Sequence, residues 1–181
     1  ASSDGGLTWT ATFTPAGNVT DTSNLITLDN TGVLDAAGNT GTGSADSNNY
    51  SIDTQRPSFT SAITLADSAL KQGETTTVSI AFSEPVTGLT VEDFTVSNGT
   101  LSALTSSDGG VNWQALFTPN ANVPASEVTI SLDAAQVQDA AGNAGVAGAI
   151  SSGFAIDTQA PTISSIGVIN DPSPFANNVV F

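Results

Sequence analysis

The stretch TTTVSIAFS (75–83) sets Val78, Ile80 and Phe82 on one face of an extended chain, with Thr77, Ser79, Ala81 and Ser83 on the other. Successive side chains of a strand point to opposite faces, so this period of two predicts a half-buried β-strand. The same alternation runs through VNWQALFTP (111–119), with Val111, Trp113, Ala115 and Phe117 inward. It returns in EVTISLDA (127–134), with Val128, Ile130 and Leu132 inward. Gly, Asn, Pro and Asp clusters bound these runs, Thr and Ser abound, and no long window carries a helical stripe of good helix formers. The chain reads as all-β.

Outward from these strands, the sequence repeats itself. DGGLTWTATFTP from Asp4 returns as DGGVNWQALFTP from Asp108, and DAAGN occurs at Asp35–Asn39 and at Asp139–Asn143. YSIDTQRP from Tyr50 returns as FAIDTQAP from Phe154. Every pair is offset by 104 residues without a gap, and thirty of the first 65 positions are identical to their partners. Such regular self-similarity marks a tandem repeat. One period holds seven candidate strands, at 59–65, 75–83, 89–96, 100–105, 111–118, 128–134 and 149–157. Seven short strands separated by turns predict a seven-stranded immunoglobulin-like β-sandwich, repeated in tandem with a period of 104. SDGG (3–6 and 107–110) reads as a hairpin turn, since Asp-Gly supplies the positive φ angles such turns need.

The joints fall at DTQRP (53–57) and DTQAP (157–161), because proline cannot donate to a ladder and favours strand starts and domain gaps. This places a complete repeat at 57–160, the C-terminal part of a preceding repeat at 1–56, and the N-terminal strand or strands of a following repeat at 161–181. Ala1 aligns with Thr105 and Phe181 with Thr77, so the outer copies together lack the counterpart of 78–104. Two expectations follow: a longer array surrounds this stretch, or another chain supplies the missing strands.

Composition narrows the function. A net charge of −15, with Lys71 and Arg56 the sole cations, argues against nucleic acid or an anionic membrane as partner. It favours a soluble surface that repels its own copies and attracts cations. Without cysteine there are no disulfides. No apolar run is long enough to span a membrane, and no basic-then-apolar leader opens the chain, so if the parent protein is secreted its signal lies outside this segment. Lacking His and Cys, the usual triads and thiol nucleophiles are unavailable, and neither a phosphate-cradling glycine loop with a lysine nor a G-x-S-x-G elbow occurs. No enzyme is expected. Trp9 and Trp113 occupy equivalent inward positions and read as core rather than as a sugar platform.

The segment DSALKQGETTTVSIAFSEPVTGLTVEDFTVSNGTLS (67–102), followed by W.A.FTP, DAAGN and IDTQAPT, resembles the bacterial Ig-like repeats of giant cell-surface adhesins, the biofilm-associated and RTX-type proteins. The likeness covers the whole chain, as one full copy and two partial ones. It implies an extracellular, cell-surface, rod-like stalk whose partners are neighbouring repeats of the same chain, with calcium ions often stiffening the junctions. A Lys–Asn crosslink, as some surface stalks carry, is not expected, since Lys71 is the only lysine and falls in a predicted loop.

Calcium also has a separate physical argument. Alternate loops of a sandwich gather at opposite ends, so SEP (83–85) and DAAGN (139–143) share the end where the preceding DTQ (53–55) enters. That directs Asp53, Glu84 and Asp139 towards one junction, with Gln55 and Asn143 as neutral oxygens. Calcium takes six to eight oxygen ligands, and such a mixed set suits it. The competing reading of DAAGN is a plain turn in which Asp bonds the backbone and Gly-Asn takes left-handed conformations. By the repeat, Asp35 has the Asp139 role in the first copy, and Asp157 has the Asp53 role towards the third. Asp67 and Asp171, near the opposite end of their copies, are further candidates, and Asp93 is a weak one. The rival to a calcium-stiffened stalk is a filament subunit whose incomplete end domains are completed by strands of neighbouring chains.

Overall fold

In the computed structural model, which describes residues 1–146 and 148–167, the chain is almost entirely β, broken only by three short 3₁₀ turns. The first copy contributes β1 (Thr20–Asn24), β2 (Thr27–Asp29), β3 (Ser44–Asp46) and β4 (Tyr50–Asp53), paired as β1–β4 and β2–β3. The second copy holds β5 (Thr64–Leu65), β6 (Ala69–Lys71), β7 (Thr76–Ala81), β8 (Phe94–Val96), β9 (Gly99–Leu101) and β10 (Asn112–Pro119). It continues with β11 (Ser126–Val128), β12 (Ile130–Leu132), β13 (Ala149–Ile150) and β14 (Phe154–Asp157). One sheet runs β5-β7-β10-β9; facing it are β11-β14-β6 and β13-β12-β8.

The alternation that opened the sequence is realised at full strength. Thr76–Ala81 alternates buried and half-buried residues, and pairs antiparallel with β10 from Asn112↔Ala81 to Phe117↔Thr76. Val78, Ile80 and Phe117 from this sheet join Val128, Ile130, Leu132, Phe154 and Ile156 from the opposite strands in one buried cluster. The Phe117 and Phe154 rings meet edge to face at 5.2 Å across it. One four-stranded sheet and two three-stranded sheets facing it, closed over a single core, make an Ig-like β-sandwich.

The structure divides the seven expected strands more finely. Within 128–134 the inward alternation continues unbroken, but the partner changes at Thr129: β11 pairs with β14, and β12 with β8 and β13. The expected first strand is likewise shared: Phe59 bridges Phe82 and β5 joins β7, whereas β6, which was not expected, runs parallel to β14. Period-two patterning reports which face is inside but is blind to which neighbour a strand bonds. Lys71, expected in a loop, ends β6, where its ammonium lies 2.9 Å from Glu74. Residues 89–96 begin with a 3₁₀ turn at Val91–Asp93 closed by Asp93, whose carboxylate accepts from the Thr90 N–H.

The SDGG turn forms as read. Thr105 and Gln114 exchange backbone hydrogen bonds across it, and Gly109 and Gly110 have φ of 81° and 104°. A Cβ on Gly110 would lie 2.6 Å from the Val86 carbonyl, so glycine is required there on two counts. Asp108 organises the loop by accepting from Asn112 N and Nδ2 and from Ser106 Oγ, which holds its carboxyl down to about 2. Asp4, its equivalent, accepts from Leu7, Thr8 and Ser2 and is likewise held at about 2, Thr8 being the main cause.

The same residues end differently when their neighbours differ. TWTATFTP (8–15) shares five of its eight residues with β10 yet forms no strand, since the described residues hold no counterpart of β7 to pair with it. Phe13 is 53 % exposed and its equivalent Phe117 is 0 %; Leu28 is 56 % and Leu132 is 2 %. Trp113 packs on the core while Trp9, expected inside, is 71 % exposed, although each indole donates to a glycine carbonyl three residues back. Residues 161–167 form no strand; the rest of the expected third-copy segment, Asp171 included, lies outside the described residues.

Candidate metal centre

The DAAGN loop follows a 3₁₀ turn at Ala134–Gln136 and is pinned by two bridges, Thr87↔Gln138 and Gln138↔Ala144. Asp139 is buried and closes the loop: Oδ1 accepts from the N–H of Ala141 and of Asn143, and Oδ2 from Asn143 Nδ2 at 2.7 Å. Gly142 has φ of 88°, a left-handed conformation that costs glycine nothing. Burial pushes the Asp139 carboxyl up, but the hydrogen bonds from Asn143, Ala141 and Gly142 more than offset it, and the net shift is downward. Asp35 builds the same loop in the first copy, accepting from Ala37 and from Asn39 N and Nδ2, with Gly38 at φ 87°. The turn reading of DAAGN therefore holds in both copies. It does not exhaust Asp139.

Asp53 ends β4 where the first copy passes into the second, and Glu84 lies in the loop that follows β7. Asp53, Glu84 and Asp139 each present a carboxylate oxygen such that all three lie within 4.8 Å of one another, the one such grouping among the described residues. Asp53 Oδ1 is aimed by Thr20 Oγ1 at 3.0 Å and by the Gln55 N–H at 3.2 Å. Asn143 Nδ2 donates both to Asp139 and to the Asp53 carbonyl at 3.1 Å, which ties the loop to the joint. Glu84 Oε1 is buried and has no hydrogen-bond partner, the sole such side-chain oxygen or nitrogen among the described residues. Burial first, then the Asp139 and Asp53 charges, push the Glu84 carboxyl up.

Neither cation relieves this crowding. Lys71 pairs with Glu74, and Arg56 spends its guanidinium on carbonyls: Nε on Ala144 at 2.7 Å and Nη2 on Gly145 at 2.5 Å. Three acids, one with an orphaned buried oxygen and none with a cationic partner, form a set that fits a hard divalent cation. The other expected ligands are placed differently. Gln55 leans towards Thr20, its Oε1 accepting at 3.4 Å, while Asn143 enters as a donor. Asp35 and Asp157 stand exposed and outside any acidic grouping among the described residues; Asp157 accepts from the Gln159 N–H. Thr20 went unnoticed in the sequence, and Arg56 was read there only as one of two cations, not as a residue of the joint. The available signal was their departure from the repeat, where Pro124 and Ala160 stand at the equivalent positions.

No helix among the described residues is long and apolar enough to cross a membrane. Comparison with curated proteins and with solved structures returned no match. Bacterial Ig-like domains are structural modules, typical of extracellular and surface proteins. The family model for the bacterial Ig-like domain matches residues 1–52 and again residues 53–156, and the chain belongs to that family.

Proposed function

We propose that this chain is a non-catalytic stalk segment of an extracellular bacterial adhesin, displayed at the cell surface, and that a calcium ion bound by Asp53, Glu84 and Asp139 stiffens the joint between successive repeats. The observation that carries this reading is the convergence of the three carboxylates to within 4.8 Å across the joint, with Glu84 Oε1 buried and unpartnered. Asp53 belongs to the last strand of one copy, and the other two belong to loops of the next. An ion shared among them links the copies mechanically. In the absence of an ion, the three carboxylates repel one another across the joint. The joint's own residues supply shape: Thr20 and the Gln55 N–H aim Asp53, Asn143 braces Asp139, and the DAAGN backbone fixes the loop. One site filled to a hundredfold excess over Kd stabilises the folded chain by about 2.7 kcal/mol.

Thermal melts in EDTA and then with stepwise calcium or magnesium, on the wild type, Asp139→Ala and Glu84→Ala, test it. The proposal expects a calcium-selective rise in melting temperature that both substitutions blunt. An unchanged melt on adding calcium refutes it.

A second reading draws on the first copy's exposed apolar face. Trp9, Phe13 and Leu28 are open, whereas their equivalents Trp113, Phe117 and Leu132 lie in or against the buried core of the second copy. In a filament, a strand with the alternation of Thr76–Ala81 from another molecule covers that face. Sedimentation over a hundredfold concentration range decides: a single concentration-independent species removes the filament, and a concentration-dependent ladder supports it.

A further inference from the structure

Arg56 is one of two cations in a chain of net charge −15. Among the described residues it pairs with no carboxylate. Its planar fork instead grips the consecutive carbonyls of Ala144 and Gly145, immediately after the DAAGN loop. Pairing two donors with two fixed backbone acceptors is a matter of geometry, which a guanidinium provides and an ammonium does not. Asn143 Nδ2 also crosses the joint, to the Asp53 carbonyl, and just past it, inside the second copy, the Val146 N–H donates to the Pro57 carbonyl at 2.9 Å. On the other side, Thr20 Oγ1 reaches back from β1 to Asp53.

We infer that Arg56 is the latch of this joint: its two hydrogen bonds to Ala144 and Gly145 set the angle between the copies without any ion. It rests on the reading of 53–57 as a joint between stalk repeats, and not on calcium. The repeat sharpens it. At the next joint Ala160 replaces Arg56 and Pro124 replaces Thr20, so neither side-chain contact can form there. Joints bearing the arginine hold their angle when stripped of ions. Joints bearing the alanine depend on whatever else binds them. An array built from both is a rod with chosen hinges.

The chain has no cysteine, so a pair introduced by Ser51→Cys and Gln114→Cys, on exposed positions of β4 and β10, carries the only spin labels. Pulsed electron-spin distances are then recorded in EDTA and in millimolar calcium, for the otherwise native chain and for Arg56→Ala and Arg56→Lys. In EDTA the parent is expected to give one narrow distribution, and both variants one at least twice as wide. The lysine variant keeps the charge and loses the fork, which separates geometry from electrostatics. Near-ultraviolet circular dichroism of each sample confirms that the second copy is folded. A parent distribution already broad in EDTA, or variants as narrow as the parent, overturns the latch. Calcium is expected to renarrow both variants. If calcium changes no sample, the ion at the joint is refuted, and the latch is judged by the EDTA comparison alone.

Discussion

Replacing Glu84 by Gln produces opposite effects with and without calcium. At 4.8 Å and an effective dielectric near 20, two carboxylates repel by about 3.5 kcal/mol. Asp53 is partly exposed, so water screens its share heavily, and the net relief from neutralising Glu84 is about 1–2 kcal/mol. The buried, unpartnered side-chain end of residue 84 loses its own charge at the same time, which lowers its desolvation cost. In EDTA, Glu84→Gln is therefore expected to melt higher than the wild type. For a domain of about 100 residues each kcal/mol shifts the midpoint by roughly 4–8 °C, well within calorimetric resolution. In calcium the order reverses, because the wild type gains the binding energy and the variant lacks a charged ligand. The assay is differential scanning calorimetry of both proteins in EDTA and in excess calcium. A variant that melts below the wild type in EDTA, or that gains as much from calcium, refutes the repulsion and with it the reasoning for an ion.

Three further outcomes follow from other residues. Glu84's folded carboxyl is raised, so its contribution to stability is complete below its ordinary value of 4.5 and is lost as pH rises through the raised one. Ion-free wild type should thus lose stability over that window while Glu84→Gln does not, and calcium affinity should fall as pH drops through it; chemical denaturation and titration calorimetry at several pH values read both. Asp108 works in the opposite sense: held at about 2, it stabilises above its ordinary 3.8 and ceases to as pH falls through 2, so Asp108→Ala should lower the neutral-pH midpoint and flatten the acid limb of the melting curve. Phe117→Ala should cost about 3–5 kcal/mol in denaturant titrations, and Phe13→Ala, its repeat equivalent, less than 1 kcal/mol, because one ring is enclosed and the other open.

Much of this architecture was legible in the residues themselves. Val78, Ile80 and Phe82 announced an inward face, and SDGG announced its hairpin, because both depend on local chemistry that the sequence spells directly. Partner choice was not legible. The switch of sheets at Thr129 and the parallel β6 depend on which strand lies alongside, information that no single stretch carries. TWTATFTP makes the point most sharply, being strand-like by pattern and strandless where the described residues offer it no counterpart of β7. At the joint, Asp53, Glu84 and Asp139 could be brought together from loop order alone. The donor role of Asn143 could not, since an amide offers oxygen or nitrogen according to neighbours that only the fold assembles. Asp35 carries the same motif as Asp139 and shares its turn, yet it joins no cluster of three acids among the described residues, which separates the motif from the site.

The most direct measurement is a crystal structure of the chain grown in excess calcium, with anomalous scattering used to locate the ion. The account predicts one peak bounded by the carboxylates of Asp53, Glu84 and Asp139, at about 2.3–2.6 Å from its ligands and with Glu84 Oε1 among them. A map with no peak there, and Glu84 turned out to solvent, would contradict it.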